Sequence, residues 1–275
     1  VDQNEHRKRS KGAAMSARHF KTTLLILPFL SAVFLTAGCQ PKTESKKDDT
    51  PTQSKVEKVS VPVIQSKVVT VKLPKNKLCL EDGCTTYHFQ TVETNQPWIN
   101  EYFMNRIKKA DPNAFDNIQD QQVKLPEGMP QDGQSIMFVR YLGQNYNLAS
   151  FQLYSYTYSA GAAHGMHHEE YVIFDLNKKK RVSVADLLKE GSDTTVRDRL
   201  YSFNQSWLEE HNISKDKFQL SDNFYYGNEG IVFVYPLYEL ASYAEGLSEL
   251  TLPYDQAIDV VKPEYLPSQP VLPKE

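Results

Sequence analysis

Residues 146–175 read YNLASFQLYSYTYSAGAAHGMHHEEYVIFD, and their spacing decides the fold class. Leu148, Phe151 and Leu153 stand among Tyr154, Tyr156 and Tyr158, and the step of two between the tyrosines puts all three on one face of a long strand over 146–158. The Gly-rich loop at 161–165 returns the chain into a second apolar run at 170–175. Strands joined by so short a connection run antiparallel. The tyrosine face reads in two ways, as an aromatic platform for a sugar or peptide, or as a half-buried sheet face with its hydroxyls at the edge.

Downstream, 170–175 pairs with a strand over 180–184 through a turn at Asn177-Lys178, and 185–189 makes a short helical turn. A longer helix follows over 194–210, with its stripe at Val196, Leu200, Phe203 and Trp207. Strands at 230–235 and 247–252, linked by a Tyr-rich segment, close the body before a Pro-rich tail over 261–275 that is expected to be loosely ordered. Upstream, 61–73 and 85–92 alternate apolar with polar residues and read as a hairpin. Pro97 opens a helix whose stripe is Ile99, Phe103, Ile107 and Ala110, and 135–142 is a further strand. The expectation is an α+β fold, mainly antiparallel sheet built of hairpins with a few packed helices, in one compact body of two sub-domains. An N-terminal α/β module covers 61–145 and a C-terminal domain 146–260, with no internal repeat.

The chain has 275 residues, 40% hydrophobic and 24% charged, enough to bury a core. Its formal charge of −3 is unevenly spread: residues 1–38 carry six Lys/Arg against two Asp/Glu, and the remainder is net −7. That excess of carboxylates argues against a nucleic-acid partner, which needs a basic face.

The basic segment reads as an address. Residues 1–14 precede a better start at Met15 and are read as a non-native or extended start. Arg18 and Lys21 form a charged n-region, 22–34 an apolar h-region too short to span a bilayer, and Leu35-Thr36-Ala37-Gly38-Cys39 looks like the box cut by the lipoprotein signal peptidase. Residues 15–38 are thus expected to be a lipoprotein signal peptide, with Cys39 acylated and the mature chain held at a lipid bilayer outside the cytoplasm. Gln40 after the cysteine, where Asp favours inner-membrane retention in many diderm bacteria, implies the outer membrane if the source is such a cell. Residues 39–60, poor in apolar side chains, are expected to be a flexible tether. Cys79 and Cys84 remain, and the Asp82-Gly83 turn brings them within reach of a hairpin-clipping disulfide that an oxidising envelope preserves.

The stretch Gly161-Ala162-Ala163-His164-Gly165, then Tyr171-Val172-Ile173-Phe174-Asp175-Leu176, then Val184-Ala185-Asp186-Leu187-Leu188, resembles the core of the RsiV-type extracytoplasmic domain, DUF3298. Gly230 to Tyr235, the segment Tyr238-Glu239-Leu240-Ala241-Ser242-Tyr243-Ala244-Glu245-Gly246, and Leu252-Pro253-Tyr254 resemble that family's closing third. The resemblance spans about 146–258, and the preceding region is more weakly similar to the family's companion module, DUF4163. Ala162 stands where many relatives carry Gly, and Ser242 where many carry Pro. One member of the family is a membrane anti-sigma factor whose outer domain binds lysozyme, and others precede a peptidoglycan deacetylase; within these 275 residues no stretch resembles either attachment.

His164, His167, His168, Glu169 and Glu170 are the densest ionisable cluster, and imidazole with carboxylate is a zinc-ligand chemistry. His-x-x-His-His is not a helical zinc pattern, and on a strand His167 and His168 face opposite ways, so no metal site is assigned. No Gly-x-Ser-x-Gly or phosphate-cradling loop occurs, and Glu169 with Glu170, or Glu209 with Glu210, are adjacent and cannot face one substrate. No catalytic residue and no cofactor are assigned. The expected function is a non-catalytic binding lipoprotein whose contact candidates are Gly161, His164, Gly165, Tyr238, Glu239, Tyr243, Glu245 and Glu249. The resemblance suggests lysozyme as a partner. The alternatives are a peptidoglycan-associated lipoprotein that stacks glycan on aromatic rings, or an enzyme modifying wall polymer through His164.

Overall fold

The computed structural model describes residues 61–267; the leader, Cys39 and tether read at 1–60, and residues 268–275, lie outside them. The first strands, β1 (Ser66–Thr70), β2 (Lys77–Leu80) and β3 (Gly83–Thr94), come from the alternating N-terminal segment. β1 and β2 lie along one edge of β3, antiparallel to it, with Cys79 opposite Cys84 and their sulfurs at disulfide distance, 2.07 Å. Helix α1 (Pro97–Ala110) starts at Pro97, which has no N–H to leave unpaired, and buries Ile99, Phe103 and Ile107 completely. At about 1.5–3 kcal/mol per fully buried side chain, that stripe is what holds the helix to the sheet. The helix crosses over to β4 (Asp132–Asn145), which pairs with β3 in parallel. β5 (Leu148–Tyr158), β6 (Met166–Asp175) and the two-residue β7 (Lys180–Arg181) then add antiparallel strands.

After β7 come α2 (Val184–Leu187), α3 (Asp193–Phe203) and α4 (Gln205–Glu210), then β8 (Phe224–Tyr226), β9 (Gly230–Tyr235), β10 (Ser248–Pro253) and α5 (Tyr254–Ala257). The fold is α+β: a seven-stranded, mostly antiparallel sheet in the order β1-β3-β4-β5-β6-β7, with β2 on β3, and a separate three-stranded sheet β10-β9-β8. One face of the large sheet packs on α1 through Phe89, Val139, Phe151, Val172 and Phe174. Leu148 and Ile173, on the opposite face of β5 and β6, join the second core with Leu200, Leu208, Phe233 and Leu252. β6 is therefore a wall shared by both cores. The division expected at 145/146 falls inside the large sheet, where β4 and β5 are paired from Gln134 with Tyr158 to Asn145 with Leu148.

Three local expectations are corrected. The helix over 194–210 is broken at Asn204, whose Nδ2 donates to the carbonyls of Leu200 (2.7 Å) and Thr251 (3.0 Å). An amide side chain that competes for helix carbonyls and also reaches β10 ends the helix there. The break re-phases the buried face, so Leu208 is fully buried while Phe203 is 59% exposed. The strand expected over 180–184 stops at Arg181, because Ser183 and Asp186 form a capping box that starts α2 at Val184. The tail expected from 261 is packed through Tyr265, where Val261 and Tyr265 are buried and the Tyr265 hydroxyl accepts from Lys178 Nζ at 2.7 Å.

Candidate binding surface

The two segments singled out from sequence meet. The loop after β5 carries Gly161, in the left-handed region at φ +77, and leads through exposed His164 to buried Gly165. Gly165 sits against the Tyr156 ring, where an added Cβ would come within 2.3 Å of the ring's hydroxyl end, so any larger residue would have to displace that ring. From the loop between β9 and β10, the Tyr243 hydroxyl donates to the Gly165 carbonyl at 2.8 Å, and its ring stacks on His164 with centroids 4.2 Å apart. His164 Nδ1 donates to the same carbonyl at 3.0 Å, which leaves Nε2 to accept from the Tyr238 hydroxyl at 3.3 Å. Tyr238 is 55% exposed and held at φ +69, a left-handed conformation that costs a non-glycine residue about 1–2 kcal/mol. Glu239 beside it is exposed, and the partial burial of its carboxyl raises its pKa.

Glu245 is not free to meet a ligand. Its carboxylate accepts from the Ser242 hydroxyl at 2.8 Å, completing a capping box, and from His211 Nε2 at 2.6 Å. His211 Nδ1 donates to the Trp207 carbonyl at 2.7 Å, and its ring stacks on the Trp207 indole at 3.9 Å. An imidazole with an acceptor at each nitrogen is held in its charged form. The hydrogen bond to Trp207, then Glu245, and more weakly Glu210, raise the His211 pKa, and His211 in turn lowers that of Glu245. The clamp ties α4 to the loop that carries Tyr238 and Tyr243. Its stabilisation is complete below the ordinary imidazole value of about 6.5 and is lost as pH rises through the raised folded value. Unfolding free energy of the protein is therefore expected to fall across that window, and His211→Phe, which keeps the stack on Trp207, to remove the slope. Equal slopes in denaturant titrations of the two proteins would refute the clamp.

The strand alternation of β6 divides the ionisable cluster. His167 and Glu169 lie on the outer face opposite Tyr156 and Tyr154, while Glu170 on the other face pairs with Arg106 of α1. His168, on that inner side, has its pKa lowered by burial first and by Arg106 among the nearby charges. Among the described residues no three His, Cys, Asp or Glu side chains converge as a metal site. Glu169 and Glu170, as expected for neighbours on a strand, address different surroundings.

On the outer face, Phe138 and Tyr154 stack on each other at 4.6 Å, and the Arg140 guanidinium covers Phe138 at 4.7 Å. With Gly165 against Tyr156, these rings stand packed on neighbours instead of lying open as a flat platform. Where the second core meets this face, Asn223 accepts from the Tyr171 N–H and donates to the Glu169 carbonyl, both at 2.7 Å, pairing the edge of β6 that β7 is too short to reach. This seats Tyr225 on Tyr171, with ring centroids 4.5 Å apart. Sequence reasoning misses that contact, because β8 is three residues long and shows no alternation; its only signals are the Asp222-Asn223 and Gly227-Asn228 punctuation around three aromatic residues.

No curated protein sequence matches the chain. Crystal structures that share its fold include a DUF3298 family protein from Pseudomonas aeruginosa PAO1, 18% identical, covering 76% of this chain and 99% of that one with a TM-score of 0.57. A second, a DUF3298 family member from Bacteroides fragilis NCTC 9343, is 14% identical and covers 74% and 95% of the two chains with a TM-score of 0.51. Residues 175–255 match the family model described as a protein of unknown function, DUF3298, a shorter span than the 146–258 of the sequence resemblance. That span runs from Asp175 at the end of β6 through β10 and contains Tyr238, Tyr243 and His211, though not the loop at 161–165. The chain is therefore similar to the DUF3298 family in sequence over residues 175–255 and in fold to two structures of that family.

Proposed function

We propose that this protein is a non-catalytic binding module, held at a membrane outside the cytoplasm by acyl chains on Cys39, that recognises a basic envelope protein such as lysozyme. The observation that carries the reading is the convergence of His164 and Gly165 with Tyr238 and Tyr243 across 74 and 78 residues of sequence into one exposed, tyrosine-rich surface. A net charge of −7 beyond Gly38 favours encounter with a cationic partner. The motif at 35–39 supports the anchor, and the RsiV-type resemblance supports the partner. Glycan stacking has less support, since Phe138 is already stacked on Tyr154 and covered by the Arg140 guanidinium.

Cys39→Ser is expected to shift the protein from the membrane pellet to the soluble fraction, and its persistence in the pellet would refute the anchor. Calorimetric titration of the full chain in detergent with lysozyme is expected to show binding at low ionic strength that weakens steeply toward physiological salt. Absence of binding in both conditions would refute this partner, and release of soluble product from muropeptides would refute the non-catalytic part.

A further inference from the structure

The seam between the two sheets carries two carboxylates that no ion pair among the described residues neutralises. Glu169 accepts from the Tyr171 hydroxyl at 3.2 Å and from Gln152 Nε2 at 2.7 Å, and Glu249 accepts from the Tyr225 hydroxyl at 3.2 Å. The tyrosine rings themselves stack between these two carboxylates. Burial first, then Glu249 and Glu169, push the Tyr225 phenol up to about 12, and burial with the same two carboxylates raises Tyr171 further. Both phenols thus stay neutral and donate. Among the described residues, no Lys, Arg or His nitrogen lies within ion-pair distance of Glu169 or Glu249. Over 218–261 the sequence has seven Asp/Glu and no Lys, Arg or His, so the segment that forms β8 to β10 offers no counter-charge of its own. Glu249 is exposed, and Glu169, Tyr171 and Tyr225 are half-buried, so a partner's side chain can reach all four.

We infer that the Tyr171–Tyr225 seam, with Glu169 and Glu249, is the receptor for an arginine side chain presented by a basic protein. A guanidinium is planar, weakly hydrated and always charged; it stacks on a tyrosine face and forks its N–H groups onto a carboxylate in one placement. Carboxylates already positioned by tyrosine hydroxyls and a glutamine amide have less freedom to lose on binding than solvated ones. The inference rests on the reading above that the partner is a basic protein, and it places the contact one step along the sheet from the His164 and Tyr243 cluster.

The test uses the full chain, titrated separately with lysozyme and with an oligo-arginine peptide. Glu169→Gln and Glu249→Gln each keep an oxygen to accept from the tyrosine, and unchanged circular dichroism checks their folding. Glu93→Gln, which removes a charge paired with Lys67 at the far edge of the large sheet, is the control. At low ionic strength each seam variant is expected to weaken both probes about fivefold to tenfold, and the control less than about twofold. If Glu169→Gln is misfolded, exposed Glu249→Gln decides. Wild-type affinity in the seam variants overturns the receptor, while lysozyme binding by the unaltered chain would leave the partner reading standing. Oligo-arginine binding that the variants lose, without lysozyme binding, supports the seam and overturns lysozyme as partner. Failure of the unaltered chain to bind either probe overturns both.

Discussion

Truncating Phe174 to alanine is expected to destabilise the protein by about 3–5 kcal/mol, the usual cost of emptying a buried aromatic site. Phe174 is fully buried, and its ring lies 5.0 Å from those of both Trp98 and Tyr102, 5.6 Å from Phe151 and 5.8 Å from Phe103. These neighbours come from α1 and from β5, so the site cannot collapse without moving the helix off the sheet. The melting temperature is expected to fall by roughly 10 °C, while Phe203→Ala, at a position the helical period alone would bury, is expected to cost no more than about 0.5 kcal/mol. Equal losses for the two variants in urea unfolding would refute the re-phasing at Asn204.

The next residue along β6 makes the second large effect. The Asp175 side chain is 2% exposed, and Oδ1 accepts from Asn147 Nδ2 at 3.1 Å and from the N–H groups of Asn177 (3.0 Å) and Lys178 (3.1 Å). Burial alone would raise its pKa, but those three hydrogen bonds and the Lys178 charge together bring it below the ordinary carboxylate range. Oδ2 receives the Tyr265 hydroxyl at 3.4 Å, which ties the chain beyond β10 to the turn after β6. Asp175→Ala leaves these donors without an acceptor and is expected to cost about 3 kcal/mol, with faster amide exchange over 262–266. Because the folded pKa is depressed, the contribution is complete above the unfolded value of about 3.9 and is lost as pH falls through the folded value. In acid the variant and the unaltered protein are therefore expected to converge in stability; a gap that persists unchanged into acid would show that the carboxylate's charge is not what stabilises the turn.

Much of the candidate surface is legible in the amino-acid order alone. Tyr154, Tyr156 and Tyr158 share a face because strand geometry repeats every two residues, and His164 lies in a loop because Gly161 and Gly165 bracket it. Cys79 and Cys84 oppose each other because a turn between them leaves no other register. Glu245 is the instructive exception. Its position among tyrosines suggests a contact residue, yet its partner, His211, lies 34 positions away on a helix whose end depends on where Asn204 breaks the preceding one. No periodicity reports such a pairing.

What the sequence by itself determined was therefore local: the α+β class, the antiparallel hairpins, the buried stripe of α1 and the loops that hold the candidate residues. Each follows from the hydrogen-bonding geometry of neighbouring backbone and from the two periods that bury one face. Only the tertiary structure decided that Asn204 reaches Thr251, that Asn223 caps the edge of β6, and that Tyr225 lands on Tyr171 between the carboxylates of Glu169 and Glu249. These contacts join segments 47 to 54 residues apart, and their energies depend on desolvation and on side-chain placement that exist only once both cores have closed on β6.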